Sequence, residues 1–281
     1  MSILTPFDTA RSWWGGSVAS APKVHWHDGG VGPSTIVMIN GWTASGLMWP
    51  ESLVQRLERD ARVIRIDNRG TGWSRSAPEG YGIGDLANDV ADVLKATHVK
   101  KATIVGLSMG GMIAQEFAAR RPELVESVFL LGTRPPTPAH LPGNPAELHA
   151  AMRPRLPQES WATYIRSIWA RQLGPGHSES GRGQILDEIV SQSLRRTTPR
   201  AGVLGQARAV SGWSGPRLLS RIAAPTTVVH GACDPMIPVG NGHRLARGIH
   251  GAEYIEMPDL GHLVPYEAPN ELANLLLAHR G

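Results

Sequence analysis

Ser108 lies in the sequence Gly106-Leu107-Ser108-Met109-Gly110-Gly111, between an apolar run and a helical pattern. A serine at such a strand-to-helix turn takes a strained backbone conformation, so its neighbours need small side chains. The turn exposes the hydroxyl and directs the N-terminus of the following helix towards it. We therefore predict that Ser108 is a nucleophile.

A serine hydroxyl is a weak nucleophile at neutral pH, so this interpretation requires a histidine base and a carboxylate that orients the histidine. His262 follows the last apolar run of the chain. Asp234 follows the apolar run before it, at the carboxyl end of a predicted strand, where the catalytic loops of open α/β sheets collect. We predict that Ser108, Asp234 and His262 form a catalytic triad.

Negative charge that develops on a substrate oxygen needs two preorganised amide donors. One predicted donor is the N–H of Met109, the residue after the nucleophile. The second is the N–H of Trp42 in Asn40-Gly41-Trp42, because this tripeptide follows an apolar run and Gly41 allows the backbone to approach a substrate.

These residues need a scaffold, and the chain alternates short β-branched runs with amphipathic helical patterns. This alternation predicts the α/β class, with a mostly parallel central sheet covered by helices on both faces. The predicted strands are 24–27, 35–39, 63–67, 102–107, 127–131, 226–230 and 253–257. The predicted helices are 48–60, 83–97, 109–121, 241–248 and 268–279.

The alternation stops after the strand that ends at Leu131 and resumes near Pro225. The intervening residues begin with a proline-rich stretch and continue with helical patterns rich in tryptophan. We expect residues 1–133 and 225–281 to form the core, and residues 134–224 to form an inserted helical lid over Ser108. Trp161, Trp169 and Trp213 of this insertion are predicted to supply apolar walls for a substrate.

Composition restricts the possible partners. The net charge of +4 comes from scattered Lys and Arg, which predicts a solvated surface and no nucleic-acid partner. Cys233 is the only cysteine, so an internal disulfide and a cysteine-based zinc site are excluded. No apolar run approaches the roughly 20 residues of a membrane span, and the N-terminus lacks a signal-peptide pattern. We expect a cytoplasmic protein with no membrane partner.

Several motifs in the same order resemble those of α/β-hydrolase-fold enzymes of the lidded serine-hydrolase type. Asp67-Asn68-Arg69-Gly70-Thr71-Gly72-Trp73-Ser74 resembles a structural turn of that family, residues 231–238 resemble its acid loop, and Gly261-His262 with Glu267-Ala268-Pro269 resembles its histidine loop. The chain order Ser, Asp, His also agrees. Asn40 is a departure, because most relatives have histidine there, which puts the side-chain support of that loop in question.

The resemblance implies hydrolysis of a small or medium carboxylic ester with an apolar portion, without a metal or organic cofactor. A serine nucleophile argues against dehalogenase and epoxide hydrolase chemistry, which need a carboxylate there. The predicted substrate-binding residues are Asn40, Gly41, Trp161, Trp169, Trp213 and Leu263. Met109 and Trp42 are further candidates for apolar walls.

Other activities use the same triad. The elbow and residues 85–90 also resemble 3-oxoadipate enol-lactonases and perhydrolase or haloperoxidase relatives. Carbon–carbon bond hydrolases often have tryptophan after the catalytic histidine, where this chain has Leu263. A non-enzymatic ligand receptor is the alternative from another class, and the intact triad argues against it. The sequence makes no prediction of the oligomeric state.

Overall fold

The computed structural model describes residues 15–17, 24–75 and 80–278. The predicted core and helix boundaries that fall on residues 1–14, 18–23, 76–79 and 279–281 lie outside the described residues. An eight-stranded sheet has the order β1-β2-β4-β3-β5-β6-β7-β8. Its strands are β1 (Gly15–Ser17), β2 (His25–Gly29), β3 (Thr35–Ile39), β4 (Arg62–Ile66), β5 (Ala102–Leu107), β6 (Val125–Leu131), β7 (Thr226–Gly231) and β8 (Glu253–Met257).

The strands from β4 to β8 in this order pair in parallel, whereas β1 and β2 pair antiparallel at one edge. The predicted α/β class and mostly parallel sheet are therefore confirmed. The carboxyl ends of β3, β5, β7 and β8 lie along one edge, since parallel neighbours share a direction. The loops that carry the candidate residues all leave from that edge.

Helices cover both faces of the sheet. They are α1 (Glu51–Glu58), α2 (Ile83–Ala96), α3 (Met109–Arg120), α4 (Pro145–Met152), α5 (Trp161–Trp169), α6 (Glu179–Arg195), α7 (Arg200–Ser211), α8 (Gly240–Gly248), α9 (Val264–Glu267) and α10 (Pro269–Ala278). No described helix is both long and apolar enough to cross a membrane.

Side chains that alternate between the two faces of the buried strands explain why the core lies on both sides of the sheet. In β3, Val37 and Ile39 belong to the core cluster that includes α2 and α3, whereas Ile36 and Met38 belong to the cluster that includes α1 and α10. Successive side chains of a strand point to opposite faces, so an uninterrupted apolar strand must be covered twice.

The boundaries of some elements differ from the prediction. The predicted helix 48–60 begins only at Glu51, because the residue before a proline is disfavoured in helical conformation and Pro50 precedes the helix. The predicted helix 268–279 is preceded by the short α9, which the sequence pattern did not indicate. Ala268 separates α9 from α10, which begins at Pro269.

Residues 134–224 leave the sheet after β6 and return before β7, carrying α4 to α7. Apolar residues of α5 and α6 form a third cluster with Met48, Leu263 and Tyr266, which follow β3 and β8. The inserted helices therefore pack against the sheet edge from which the candidate loops leave.

Candidate active site

Ser108 occupies the turn between β5 and α3 with a φ of 55° and a ψ of −117°. A positive φ is strained for a residue with a side chain, and such strain persists only where surrounding contacts enforce it. The Ser108 N–H donates to Leu131 O at 2.9 Å, and Thr133 Oγ1 donates to Ser108 O at 2.7 Å. A Cβ at Gly110 would lie 1.9 Å from Ile39 O, so the turn requires glycine there.

His262 and Asp234 are buried and hydrogen-bonded to each other. His262 Nδ1 lies 2.7 Å from Asp234 Oδ2. The other carboxylate oxygen accepts the N–H groups of Met236 at 2.8 Å and Ile237 at 2.9 Å. Burial alone raises the pKa of Asp234, but the charge of His262 and hydrogen bonds from His230 and His262 outweigh it and lower this pKa to about 2.

His230 is a neighbour of this pair that sequence reasoning missed. The fully buried His230 ring places Nε2 2.9 Å from Ile237 O and 3.3 Å from Asp234 Oδ2. Because a carbonyl oxygen only accepts, Nε2 carries the proton and faces the carboxylate as a donor. The available signal was a histidine near the end of a predicted strand, four residues before the candidate acid.

The loop that carries His262 is held by Glu267, whose carboxylate is buried. It accepts the N–H groups of Gly261, Leu263 and Gly174, at 2.7 Å for Gly174. Gly174 belongs to the insertion, so this acid joins the insertion to the histidine loop. The sequence placed Glu267 in the histidine loop without a role, because its three partners are set by tertiary contact.

The loop after β3 comes close to Ser108. A Cβ at Gly41 would lie 3.2 Å from Ser108 Cβ and 3.8 Å from its Oγ. Among the described residues, neither the N–H of Trp42 nor that of Met109 donates to a backbone carbonyl. The Gly41 N–H is engaged, since it donates to Asn40 Oδ1 at 2.8 Å. The N–H groups of Trp42 and Met109 are therefore not bonded to a described backbone carbonyl, and both stay predictions as oxyanion donors.

Asn40 supports its own loop. Its buried side chain donates from Nδ2 to Met48 O at 2.5 Å and to Ser45 O at 3.2 Å, while Oδ1 accepts from Gly41. These bonds occupy both polar ends of the amide. Asparagine thus ties the start of the loop to its end, which is the support that the departure from histidine had put in question.

A cavity of about 420 Å³ opens above Ser108. Its sheet-side wall contains Asn40, Gly41, Trp42, Ser108, His262 and Leu263. Its helix-side wall, from the insertion, contains Arg155, Trp161, Tyr164, Ile165, Trp169 and Arg200 among others. The structure thus brings most of the predicted site residues together around one space.

Asp234, Met109 and Trp213 do not line this cavity. Asp234 is hydrogen-bonded to His262, and the Met109 side chain packs in the core. The prediction that Trp213 contacts substrate is corrected, because its ring is 5% exposed and packs in the same core cluster. Its Nε1 donates to Glu116 Oε2 on α3 at 3.0 Å, which directs the ring away from the cavity.

One cluster elsewhere has the side chains of a metal site. His25, His27 and Asp67 bring potential ligand atoms within 4.8 Å of one another, and none of them lines the cavity. The Asp67 oxygens already accept the N–H groups of Gly46 at 2.7 Å and Trp73 at 2.8 Å, so the carboxylate ties the loop after β3 to the turn after β4. Burial raises the pKa of Asp67, but hydrogen bonds from His25 and His27, the charge of His27 and the Trp73 amide outweigh it and lower this pKa.

Comparison with known proteins shows the family. The chain is 29% identical over 272 residues to rhodomycin D methylesterase DnrP of Streptomyces peucetius, covering 87% of this chain and 90% of the relative. It is 27% identical over 250 residues to a putative carbamate hydrolase, RutD, of Rhizobium rhizogenes, covering 86% and 91%. A crystal structure of a hydrolase from Pseudomonas aeruginosa PA01 is 26% identical, with a TM-score of 0.75 and coverage of 95% and 98%. A sequence model of the α/β hydrolase fold matches residues 34–269, and the chain therefore belongs to the α/β-hydrolase family.

Proposed function

We propose that this protein is a serine hydrolase that cleaves a small or medium carboxylic ester through an acyl-enzyme intermediate. The observation that carries the proposal is the strained Ser108, with its φ of 55°, at the same cavity as the His262 ring that is bonded to Asp234. A serine that shares a cavity with a histidine held by a buried carboxylate has the base that its activation needs, and the strained turn marks a functional position.

In the first half-reaction, Ser108 Oγ attacks the ester carbonyl carbon while His262 Nε2 removes the hydroxyl proton. The carbonyl π electrons move to oxygen, and the N–H groups of Trp42 and Met109 stabilise the resulting oxyanion. The tetrahedral intermediate then collapses, its bond to the leaving alkoxide breaks, and His262 passes the proton to that alkoxide.

In the second half-reaction, His262 removes a proton from water as the water oxygen attacks the acyl carbon. Collapse of this second intermediate breaks the bond to Ser108 Oγ, which recovers its proton from His262 and releases the carboxylic acid. Asp234 acts throughout by holding the imidazole with Nε2 directed to Ser108 and by stabilising its cationic form. Its low pKa keeps it ionised for this role at neutral pH.

We also propose that residues 134–224 act as a lid. Several contacts between α7 and the loop after β3 support this role. Trp42 Nε1 donates to Val203 O at 2.9 Å, and Thr43 N donates to Gln206 Oε1 at 2.8 Å. Because these bonds hold the loop that presents the Trp42 N–H, they connect the insertion to the proposed oxyanion site.

The cavity supports the choice of ester. Its apolar walls, including Met48, Ile165, Trp169 and Leu204, fit an apolar acyl or alcohol group, and its volume fits a small or medium molecule. The name of the DnrP relative, a methylesterase, agrees with this class of reaction. Lactonase, perhydrolase and carbon–carbon hydrolase activities use the same triad and differ in the substrate that the cavity accepts.

The test compares Ser108→Ala with Ser193→Ala, a matched control because Ser193 is the other serine of the cavity. The unsubstituted protein is expected to hydrolyse p-nitrophenyl acetate and butyrate and to be labelled by a fluorophosphonate. Ser108→Ala should lose turnover by roughly 10³-fold or more and lose all labelling, whereas Ser193→Ala should still be labelled. Labelling that survives in Ser108→Ala and disappears in Ser193→Ala would overturn the proposal.

A substrate panel tests the reaction class. Purified protein is assayed with matched esters, lactones and ring-cleavage products at equal concentrations. The proposal expects the highest kcat/KM on an ester. A lactone or a carbon–carbon bond substrate that exceeds every ester would replace the ester assignment and leave the triad unaffected.

A further inference from the structure

The cavity is lined by four arginines, Arg153, Arg155, Arg196 and Arg200, and by no aspartate or glutamate among the described residues. We infer that the ester taken by this cavity carries a carboxylate at its far end, which binds to Arg155 and Arg200. This inference rests on the proposed hydrolase function and deepens it, because it names the chemical class of the substrate.

Two of the four arginines are committed to structure. Arg153 forms a two-pronged ion pair with Glu159, at 2.7 and 2.8 Å, which neutralises its charge within the insertion. Arg196 donates from Nε to Gly72 O at 2.7 Å and lies over the Trp73 ring. The ion pair therefore neutralises Arg153, whereas Arg196 keeps its charge and is held by its contacts against the turn after β4.

Neither Arg155 nor Arg200 forms an ion pair with a carboxylate of the described residues. Arg155 donates to backbone carbonyls, including Leu156 O at 3.0 Å, and its guanidinium lies 5.0 Å from the centre of the Trp161 ring. Carbonyls and rings orient a guanidinium without neutralising it. Arg200, the first residue of α7, is an exposed residue of the cavity lining. It forms no hydrogen bond or ion pair with any described residue and interacts electrostatically with Tyr164.

An unneutralised pair of guanidinium groups on an apolar-walled cavity favours anions. Low-dielectric walls focus the field of such charges and raise the local concentration of an oppositely charged ligand. The planar guanidinium also matches the two oxygens of a carboxylate. The Glu159 carboxylate interacts electrostatically with Arg155 but is already paired with Arg153, so a ligand carboxylate is the source of further counter-charge.

The geometry also determines which end of the substrate is charged. Arg155 and Arg200 belong to the helix-side wall, whereas Ser108 and His262 belong to the sheet-side wall. The ester carbonyl must lie at Ser108, so the inference places the carboxylate at the other wall of the cavity. A molecule with an ester at one end and a carboxylate at the other satisfies both walls.

The test uses two substrates that differ in one charge, 4-acetoxybenzoate and its neutral methyl ester. The measured quantity is the ratio of kcat/KM for the anionic substrate to kcat/KM for the neutral one. Changes in this ratio between variants are independent of the intrinsic reactivity of the two esters. Arg200→Gln is expected to lower the ratio about 10-fold, with a comparable loss for Arg155→Gln. Arg200→Lys keeps the charge and should retain most of the ratio.

Arg208→Gln is the matched control, because Arg208 lies on the same helix and does not line the cavity. It should leave the ratio as in the unsubstituted protein. A ratio that stays constant in Arg155→Gln and Arg200→Gln, or that falls equally in Arg208→Gln, would overturn the inference. Equal turnover of both esters by Ser108→Ala would instead overturn the proposed function.

A binding measurement gives a readout that does not depend on turnover. In Ser108→Ala, calorimetry compares 4-acetamidobenzoate, an amide analogue, with its neutral methyl ester. Tighter binding of the anion, lost when Arg200→Gln is added, supports the carboxylate subsite even if neither ester is a good substrate. Equal affinity for the two analogues would contradict it.

Discussion

The two walls of the cavity differ in how far their polar groups are hydrogen-bonded within the protein. On the sheet-side wall, Asn40 has both ends of its amide hydrogen-bonded within its own loop, and His262 is bonded to buried Asp234. On the helix-side wall, Arg200 forms no hydrogen bond or ion pair with any described residue, and Trp161 is 46% exposed. One wall is fixed by internal bonds, and the other presents charge and apolar surface to a ligand.

The contrast separates two requirements of an active site. Chemistry needs reacting groups held within a fraction of an ångström, which internal hydrogen bonds provide. Binding needs groups whose partners arrive with the substrate, so these groups stay unneutralised until then. Under the proposed function, the two requirements fall on different parts of the chain, the sheet edge and the insertion. Substitutions on the sheet-side wall should therefore lower the rate of reaction, whereas substitutions on the helix-side wall should change substrate selectivity.

The largest expected effect lies behind the sheet-side wall. Asp234→Asn should lower kcat by about 10³- to 10⁴-fold, because the amide no longer stabilises the imidazolium and favours the wrong tautomer of His262. Steady-state kinetics on p-nitrophenyl butyrate measures the loss.

Asp259→Asn is the matched control for that variant. Asp259 precedes His262 by three residues and is exposed. It should change kcat by less than about 3-fold, as expected for a surface substitution of less than about 0.5 kcal/mol. A severe loss in Asp259→Asn with a mild loss in Asp234→Asn would assign the triad carboxylate to Asp259.

Much of the sheet-side wall was predictable from the sequence because its signals are local. Ser108 is marked by adjacent glycines, and Asp234 and His262 each follow an apolar strand. His230 and Glu267 were missed because their roles depend on partners that only the folded chain brings near. Trp213 was assigned to the cavity wall instead of the core for the same reason. Clustering of aromatic residues in the sequence does not show where each ring packs, and the hydrogen-bond partner of Trp213, Glu116, lies 97 residues away in sequence.

The next effect concerns stability and tests the corrected position of Trp213. Trp213→Ala should lower the free energy of unfolding by about 3–5 kcal/mol, the usual cost of removing a buried tryptophan. It also leaves the Glu116 carboxylate without its indole donor. Urea denaturation measures the change. Trp161→Ala, at a half-exposed site, should cost about 1 kcal/mol or less, so similar losses in the two variants would contradict the different burial of these rings.

A smaller effect is expected in acid. The pKa of Asp234 is about 2 in the folded protein and about 4 in an unfolded chain. Ionised Asp234 therefore contributes stability that is present above about pH 4 and is lost as the pH falls towards 2. The expected contribution is about 2 kcal/mol.

Urea denaturation between pH 5 and pH 2 should show this loss in the unsubstituted protein and a smaller slope with pH in Asp234→Asn. Asp67, whose pKa is also lowered, contributes to both proteins, so the difference between the two curves isolates Asp234. Parallel curves would mean that the buried pair does not favour the ionised carboxylate.

The smallest effect lies on the helix-side wall, where Trp161 and Trp169 line the cavity. We compare kcat/KM on p-nitrophenyl octanoate with kcat/KM on p-nitrophenyl acetate. If these rings form the apolar wall of the pocket, Trp161→Ala or Trp169→Ala should change the ratio of the two values by roughly 10-fold. The reason is that a few methylenes of lost burial amount to about 1–3 kcal/mol. Trp213→Ala should leave that ratio intact, because its ring packs in the core. Circular dichroism confirms folding of each variant. If both cavity variants keep the ratio of the unsubstituted protein, the insertion does not determine chain-length selectivity. The acyl pocket would then be assigned to Trp42 and Leu263 of the sheet-side wall.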